Sequence, residues 1–226
     1  MANQLDLEEQ EQLDQLKHFW NQYGKLITGL LIVVLGAVAA WNGYHYWQRS
    51  QANQSAAMFD EMSKSVAAGD MAMAQRTFTD MKERYASATY TQQAALALAR
   101  QASDKGELDT AKSALHWVVD KSGDEGYSAI ARLRLANMYF DAKDYAKAMT
   151  LLDGVADEAF AALVADRKGD ILAIQDKRSE AKSAYLVAYQ KLEERAQYRR
   201  VIQVKLNALG VDPEALAAPK VAEGLK

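Results

Sequence analysis

The sequence predicts an all-α protein with a single N-terminal transmembrane helix, a domain of helical repeats and a C-terminal capping helix. Three observations support this fold class. One stretch of 23 residues has no formal charge. After it, apolar residues recur every three and four positions, which is the period of an α-helix. Turn signals interrupt this pattern at nearly constant intervals, as they do in repeat proteins.

The uncharged stretch runs from Leu26 to Gln48. At about 1.5 Å per residue, a helix of this length spans the ~30 Å hydrocarbon core of a bilayer. Aromatic residues lie at both ends, as is typical of membrane–water interfaces, and Lys25 and Arg49 bracket the stretch. Two alternatives stay open: a buried helix of a soluble core, and a cleaved signal peptide with small residues at 37–39. The acidic tail argues against a signal peptide, whose first segment is basic.

The tail, residues 1–25, has five acidic and two basic residues and accounts for the whole net charge of −3. Lys and Arg are equally frequent near the two ends of the apolar stretch, so the positive-inside rule does not decide its orientation. A short tail without a signal peptide favours a cytoplasmic N-terminus. The rest of the chain is neutral, which gives no reason to expect nucleic-acid binding. The sequence has no cysteine, which excludes disulfides and thiolate metal sites.

Small residues form one face of the predicted membrane helix. Glycine recurs every seven residues, at Gly29, Gly36 and Gly43, with Val33 and Ala40 on the same stripe. Small side chains let a second helix approach closely in lipid, so we interpret this stripe as a partner-helix face. The alternative is the general abundance of glycine in membrane helices.

From residue 49 to 209 the chain is predicted to form four helical hairpins. Each has a central turn signal, an alanine five residues later and a large residue four residues after that. The turn signals are centred at Gly69, Gly106, Lys143 and Asp176. The alanines, which are 37, 37 and 33 residues apart, are Ala74, Ala111, Ala148 and Ala181. The large residues are Phe78, Leu115, Leu152 and Tyr185. A period near 34 residues with two helices per unit resembles tetratricopeptide repeats.

Repeat units of this kind must stack, because no unit buries its apolar face alone. Small residues, such as Gly169 in the last unit, let the helices of a unit approach each other. The first unit, near residues 58–86, matches the pattern least, and Lys143 and Asp176 replace the turn glycine. An irregular helical bundle is the alternative.

The last predicted helix, about residues 191–209, does not repeat the pattern, and we interpret it as a capping helix. Residues 210–226 contain both prolines and are expected to form a mobile tail. The predicted organisation is therefore an acidic cytoplasmic tail at 1–25, a transmembrane helix at 26–48, a repeat domain at 49–209 and a tail at 210–226.

We find no residue pattern that indicates catalysis. His18, His45 and His116 lie in the tail, the membrane helix and the repeats, and His116 is expected to pack between helices or lie on the surface. Motifs for phosphate binding, a nucleophile elbow or a zinc protease do not occur in the sequence. The prediction is a protein that is not an enzyme and has no cofactor.

A stack of such repeats has a concave groove formed by the first helix of each unit. The predicted groove residues are Gln93, Arg100, Asp104, Arg134, Asn137, Asp141, Arg167 and Asp170. Converging arginine and amide side chains could hold the carboxylate of a peptide C-terminus, but the acidic neighbours oppose this. A solvated polar surface is the simpler alternative.

Short segments in a fixed order give a more specific indication. They are LKHFW (16–20), YGK (23–25), YHYW (44–47), RLRLA (132–136), VADRKGD (164–170) and VKLNAL (204–209). In this order, and combined with the anchor, they make the chain resemble the YfgM-like ancillary subunits of the SecYEG translocon in Gram-negative inner membranes. The resemblance covers nearly the whole chain.

The resemblance implies a single-pass protein of the bacterial inner membrane, with a cytoplasmic N-terminus and a periplasmic repeat domain. The implied partners are the SecYEG translocon, a membrane-anchored periplasmic chaperone of the prolyl-isomerase type, and nascent chains. The predicted function is a non-catalytic, membrane-tethered scaffold that links emerging secreted or membrane proteins to periplasmic chaperones. The alternative is a regulatory membrane anchor whose cytoplasmic tail sequesters a soluble signalling protein.

Overall fold

The computed structural model describes residues 7–214, and within this range all regular structure is helical. The helices are α1 (Leu7–Ala67), α2 (Met71–Arg84), α3 (Thr89–Asp104), α4 (Leu108–Lys121), α5 (Glu125–Asp141), α6 (Tyr145–Asp153), α7 (Ala161–Ile174), α8 (Arg178–Lys191) and α9 (Tyr198–Ala208). A short 3₁₀ helix, Glu158–Phe160, precedes α7. The predicted all-α fold class is confirmed. From residue 215 onward, the predicted mobile tail lies outside the described residues.

The chain divides into two compact units, Met1–Gln54 and Ser55–Lys226. Helix α1 is 61 residues long and includes the whole predicted membrane segment 26–48, whose side chains are exposed almost throughout. An 18-residue window of this helix has a mean hydropathy of 2.0, and none of it is buried. A helix that is apolar on all sides and buried by nothing in the fold is suited to lipid. The segment 26–48 of α1 is therefore the candidate transmembrane helix.

The second unit contains four helical hairpins, formed by the last turns of α1 with α2, α3 with α4, α5 with α6, and α7 with α8. The four predicted turn residues all have a positive φ: 79° at Gly69, 77° at Gly106, 61° at Lys143 and 57° at Asp176. In each turn the next backbone N–H donates to a carbonyl five residues earlier, as from Asp144 to Tyr139 at 2.8 Å. This is the Schellman ending of a helix. Lys143 and Asp176 adopt it although a left-handed conformation costs a non-glycine residue about 1–2 kcal/mol.

The predicted repeat register is also present. The four repeat alanines are fully buried, and the four large residues are each at most 4% exposed. In the last unit the large residue is aromatic, and a Cβ placed on Gly169 would lie 2.5 Å from the Tyr185 ring. Glycine is therefore needed at this position because the tyrosine ring occupies the space that a methyl group would fill.

The capping helix begins later than predicted. Helix α8 ends at Lys191, Leu192 is extended with ψ 140°, and α9 begins at Tyr198. The sequence did not indicate this break because residues 192–197 are mostly good helix formers. The break lets Leu192 pack into the apolar cluster that contains Ile202 and Leu206, both fully buried.

Candidate functional site

A cavity of about 400 Å³ is lined by residues of α3 and α5, with Leu115 of α4 in its wall. We call it the central cavity. Five of the eight predicted groove residues line it: Arg100, Asp104, Arg134, Asn137 and Asp141. The remaining lining residues are Ala99, Ser103, Leu115 and Met138. The polar residues of one groove face are thus brought together across two successive repeat units.

Two arginines form the cationic part of the central cavity. Arg134 Nη1 donates to the backbone oxygen of Leu96 at 3.0 Å. Within the described part of the chain, neither Arg100 nor Arg134 forms an ion pair with a carboxylate. Partial burial, and then the positive charge of Arg100, lower the pKa of Arg134 from its ordinary value. An anion near both guanidinium groups would relieve this repulsion.

Asn137 contributes an unpaired acceptor. Its Oδ1 atom is buried and has no hydrogen-bond partner among the described residues. Leaving a buried acceptor unpaired costs about 1–3 kcal/mol. In the last unit the equivalent residue is Asp170, whose Oδ1 accepts a hydrogen bond from the Tyr185 hydroxyl at 2.8 Å. Leu152 takes the position of Tyr185 in the unit of Asn137, and leucine has no donor to offer.

Two aspartates form the anionic part of the central cavity. Asp104 and Asp141 are the last residues of α3 and α5, where the negative end of the helix dipole makes a carboxylate unfavourable. Both are exposed, and neither has an ion-pair partner between residues 10 and 214. Asp104 follows Arg100 by four residues, which is about 6 Å along the helix axis. The cavity therefore has separate cationic and anionic parts.

The other three predicted groove residues do not line the central cavity. Gln93 donates from Nε2 to the Tyr127 hydroxyl at 2.8 Å, so its amide is used within the fold. Arg167 and Asp170 form an ion pair of 3.2 Å with each other. They lie at the C-terminal end of the repeat domain, where the capping helix packs.

A group of five residues, which we call the C-terminal cluster, connects α9 to α7 and α8. It consists of Asp166, Asp170, Tyr185, Tyr198 and Lys205. Lys205 Nζ lies 2.6 Å from Asp166 Oδ1 and 2.7 Å from Asp170 Oδ1. Tyr198 donates to Asp166 Oδ2 at 2.6 Å, and the Asp166 side chain is only 3% exposed. Burial, and then the hydrogen bond from each hydroxyl to its carboxylate partner, raise the pKa of Tyr185 and of Tyr198, so both hydroxyls stay protonated to a higher pH than a free tyrosine does.

Sequence reasoning missed the C-terminal cluster as a unit. Charged residues on amphipathic helices were interpreted as solvated, and the distance of about 40 residues between Asp166 and Lys205 gives no local signal. One signal was available: Asp166 falls four residues after the buried Ala162 and three before Gly169, on the packed face of α7. A carboxylate on such a face needs a partner.

The predicted partner-helix residues are Gly29, Gly36, Ala40 and Gly43, and all four lie on the exposed part of α1. A Cβ at any of the three glycines would meet no described atom within 4 Å. This face of the helix is therefore open to a neighbouring helix, and its role stays a prediction.

Known proteins match the chain over most of its length. A family model described as a tetratricopeptide repeat-like domain matches residues 17–211. A protein of Neisseria gonorrhoeae named ancillary SecYEG translocon subunit is 30% identical over 207 residues, which cover 90% of this chain and 98% of the relative. This chain belongs to the family of ancillary SecYEG translocon subunits. Members of the same name from Escherichia coli and Haemophilus influenzae are 28% and 29% identical, and each match covers 90% of this chain.

Membership of the ancillary subunit family confirms the resemblance found in the sequence. The tetratricopeptide-like match starts before the apolar stretch and ends after α9, so it includes the candidate membrane helix and the capping helix. Stacked repeats of this type form extended concave surfaces that are used for binding.

Among the described residues, no three histidine, aspartate or glutamate side chains lie close enough together to hold a metal ion. The Nε2 atom of His116 lies 3.4 Å from the Tyr139 hydroxyl, and the two rings meet edge to face. His116 thus packs between helices.

Proposed function

We propose that this protein is a non-catalytic, membrane-tethered scaffold that associates with the SecYEG translocon and links emerging secreted or membrane proteins to periplasmic chaperones. The observation that carries the proposal is the match to an ancillary SecYEG translocon subunit over 90% of this chain and 98% of the relative. The match includes both the candidate membrane helix and the repeat domain of this chain.

The proposed location is the bacterial inner membrane, with a cytoplasmic N-terminus and a periplasmic repeat domain. The absence of cysteine from the sequence allows a direct test. Single cysteines at the exposed positions Gln12 and Lys121 can be treated with a membrane-impermeant maleimide in cells with a permeabilised outer membrane. We expect labelling of Lys121→Cys and not of Gln12→Cys. Labelling of Gln12→Cys alone would reverse the proposed topology.

We propose that the glycine face of α1 contacts a transmembrane helix of the translocon or of its associated chaperone. Close approach through glycine drives helix association in lipid, because dispersion contacts replace the hydrophobic effect there. Gly36→Leu should therefore reduce co-purification with SecYEG several-fold. Val38→Leu, on another side of the same exposed helix, is the matched control and should have no effect. Equal co-purification of the two variants would contradict the role of this face.

The repeat domain is proposed to receive emerging chains and a membrane-anchored chaperone of the prolyl-isomerase type. The central cavity supports this, because within the described residues its charged side chains form no ion pairs and the Asn137 Oδ1 atom has no hydrogen-bond partner. Tethering to one membrane raises the effective concentration of partners to about the millimolar range, so a weak site suffices.

A second candidate function is the regulatory anchor. On α1, Leu13, Leu16, Trp20 and Tyr23 form an apolar stripe before the candidate membrane segment, and each is 40–62% exposed. Such a stripe could hold a soluble signalling protein. Replacing all four residues of this stripe by serine separates the two functions: loss of a captured regulator with intact SecYEG co-purification would favour the regulatory anchor, and no loss of any partner would oppose it.

A further inference from the structure

The last repeat unit provides an example of a groove with an occupant. Helix α9 packs against α7 and α8 and supplies Lys205 to Asp166 and Asp170. It also supplies the Tyr198 hydroxyl to Asp166. The acidic groups on α7 thus have donors that come from the helix that follows the last repeat unit.

The central cavity has the same kind of polar surface without an occupant. Its two arginines repel each other, and its asparagine has an unpaired buried acceptor. Two carboxylates stand at the negative ends of helices, where the fold itself disfavours them. Each of these three features would be relieved by a group that the described residues do not supply. Together they indicate a ligand with complementary charges and a hydrogen-bonding backbone.

We propose that the central cavity binds an extended polypeptide segment with an acidic residue and, two residues away, a basic one. The acidic side chain binds between Arg100 and Arg134, and the basic side chain binds to Asp104 and Asp141. Asn137 lines the cavity, and its amide pairs with a peptide group of the segment after a side-chain rotation that brings the buried Oδ1 atom to the cavity surface. This inference rests on the proposed function and specifies the class of polypeptide that the scaffold binds.

The spacing of the charges supports an extended segment. Side chains two residues apart in an extended chain point the same way and are about 7 Å apart. This matches the separation of about 6 Å along the α3 axis between Arg100 and Asp104. Arg134 and Asp141, in contrast, are about 10 Å apart along α5, so the long Arg134 side chain must lean toward Asp141 to bind the same segment. The cavity volume of about 400 Å³ is also within the range of binding pockets for small ligands and short segments.

A free anion would use only part of this surface. Phosphate or a lipid headgroup could bind the two arginines, but Asp104 and Asp141 would then repel it. An asparagine amide presents both a donor and an acceptor, as a peptide group does, so it suits a polypeptide better than a simple anion. We therefore assign the cavity to polypeptide and make anion binding an outcome of the test.

The test uses the full chain in phosphatidylcholine nanodiscs and two capped, fluorescein-labelled nonapeptides. One has a central Glu-Ser-Lys and the other Gln-Ser-Gln, in the same Ala/Ser/Thr background. Fluorescence anisotropy should give about tenfold tighter binding of the charged peptide, in line with complementary charge pairs. Arg134→Gln should remove the contribution of Glu, and Asp104→Asn combined with Asp141→Asn should remove that of Lys. Arg195→Gln, exposed and outside the central cavity, is the control and should bind like the wild type.

Three results would overturn the inference. The two peptides could bind equally, or the preference for the charged peptide could survive Arg134→Gln. Alternatively, millimolar inorganic phosphate could bind in an Arg134-dependent manner while peptides do not, which would identify a site for free anions. SecYEG co-purification is measured on the same proteins. If the proteins co-purify with SecYEG but the peptide results fail, only the proposed ligand class is wrong. If the wild-type chain does not co-purify with SecYEG, the proposed function itself is contradicted.

Discussion

The central cavity and the C-terminal cluster are built on equivalent positions of successive repeat units, yet they differ in whether their polar groups are paired within the fold. Asn137 and Asp170 occupy the same position, six residues before the turn residue of their units. The Asp170 carboxylate has Tyr185 and Lys205 as donors, whereas Asn137 Oδ1 has no partner within the described residues. The repeat register thus puts a polar residue at this position in both units. Whether that residue has a hydrogen-bond partner depends on the side chains that surround it in each unit.

This difference separates a structural cluster from a candidate binding surface. A fold tolerates buried charges only when each is paired and hydrogen-bonded, as in the C-terminal cluster, and removing one partner there is strongly destabilising. In the central cavity the exposed charges remain hydrated and available, so removing them should cost little stability and should affect binding. The two regions can therefore be distinguished by measuring stability and binding on the same variants.

The largest expected effect is at the C-terminal cluster. Lys205→Met removes the cation from Asp166 and Asp170 and should lower the free energy of unfolding by about 3 kcal/mol, since it leaves a buried carboxylate without its ion pair. Urea unfolding of the full chain in detergent, followed by circular dichroism, measures this. Arg100→Gln in the central cavity is the matched control, with an expected change within about 0.5 kcal/mol. Equal losses for the two variants would contradict the distinction.

The second effect concerns the packing of the last unit. Gly169→Ala should destabilise the domain by about 1–2 kcal/mol, because the new methyl group meets the Tyr185 ring and this outweighs the better helix propensity of alanine. In a Tyr185→Leu background, which copies the Ala136–Leu152 pair of the preceding unit, the same substitution should be neutral or stabilising. The double-mutant cycle is measured by urea unfolding. Additive effects of the two substitutions would show that the Tyr185 ring is not the reason that residue 169 is glycine.

A third test asks whether the two units share the same backbone. Lys143→Gly and Asp176→Gly should each raise the free energy of unfolding by up to about 1 kcal/mol, because both residues have a positive φ that glycine adopts without strain. The ion pair of Asp176 with Arg178 is exposed and adds little. If both variants raise the free energy of unfolding by a similar amount, the turns of the two units are equivalent and the units differ in their side chains. If only one variant does so, the turns themselves differ.

The smallest expected effect is the response of the C-terminal cluster to alkaline pH. The pKa of Tyr198 is raised by burial and by Asp166, so the fold favours the protonated hydroxyl. Its contribution to stability is present below pH about 10 and is lost as pH rises above that value. Between about pH 9 and about pH 11, Tyr198→Phe should therefore lose less stability than the wild type. A Tyr90→Phe control, outside the cluster, should follow the wild type in thermal unfolding.

The sequence predicted the repeat architecture well because its determinants are local. A left-handed turn residue, an alanine and a large residue recur at fixed offsets, and the structure has all of them in place. The substitution of glycine by Lys143 and Asp176 did not change the turn. The start of α9 was predicted seven residues too early, because its position depends on the packing of Leu192 and not on helix propensity.

The candidate site was predicted in part, for a physical reason. Arg100, Arg134 and Asn137 face the groove because their helical register is fixed by the repeat, so counting residues was sufficient. Gln93 and Asp170 have partners from other helices, and those partners are set by tertiary packing. The ion pairs between Lys205 and α7 join residues 35 and 39 positions apart, and no sequence spacing indicates such a contact.

The central claim is that the open groove of the repeat domain binds partner polypeptides while the protein is tethered beside the translocon. The most direct test is photocrosslinking in cells, with a photoreactive residue at Asn137 in the central cavity and, as a control, at the exposed Lys182 of α8. We predict adducts with a periplasmic chaperone or with emerging chains from position 137 and few or none from position 182. The same adducts from both positions, or none from position 137 in a protein that still co-purifies with SecYEG, would contradict the account.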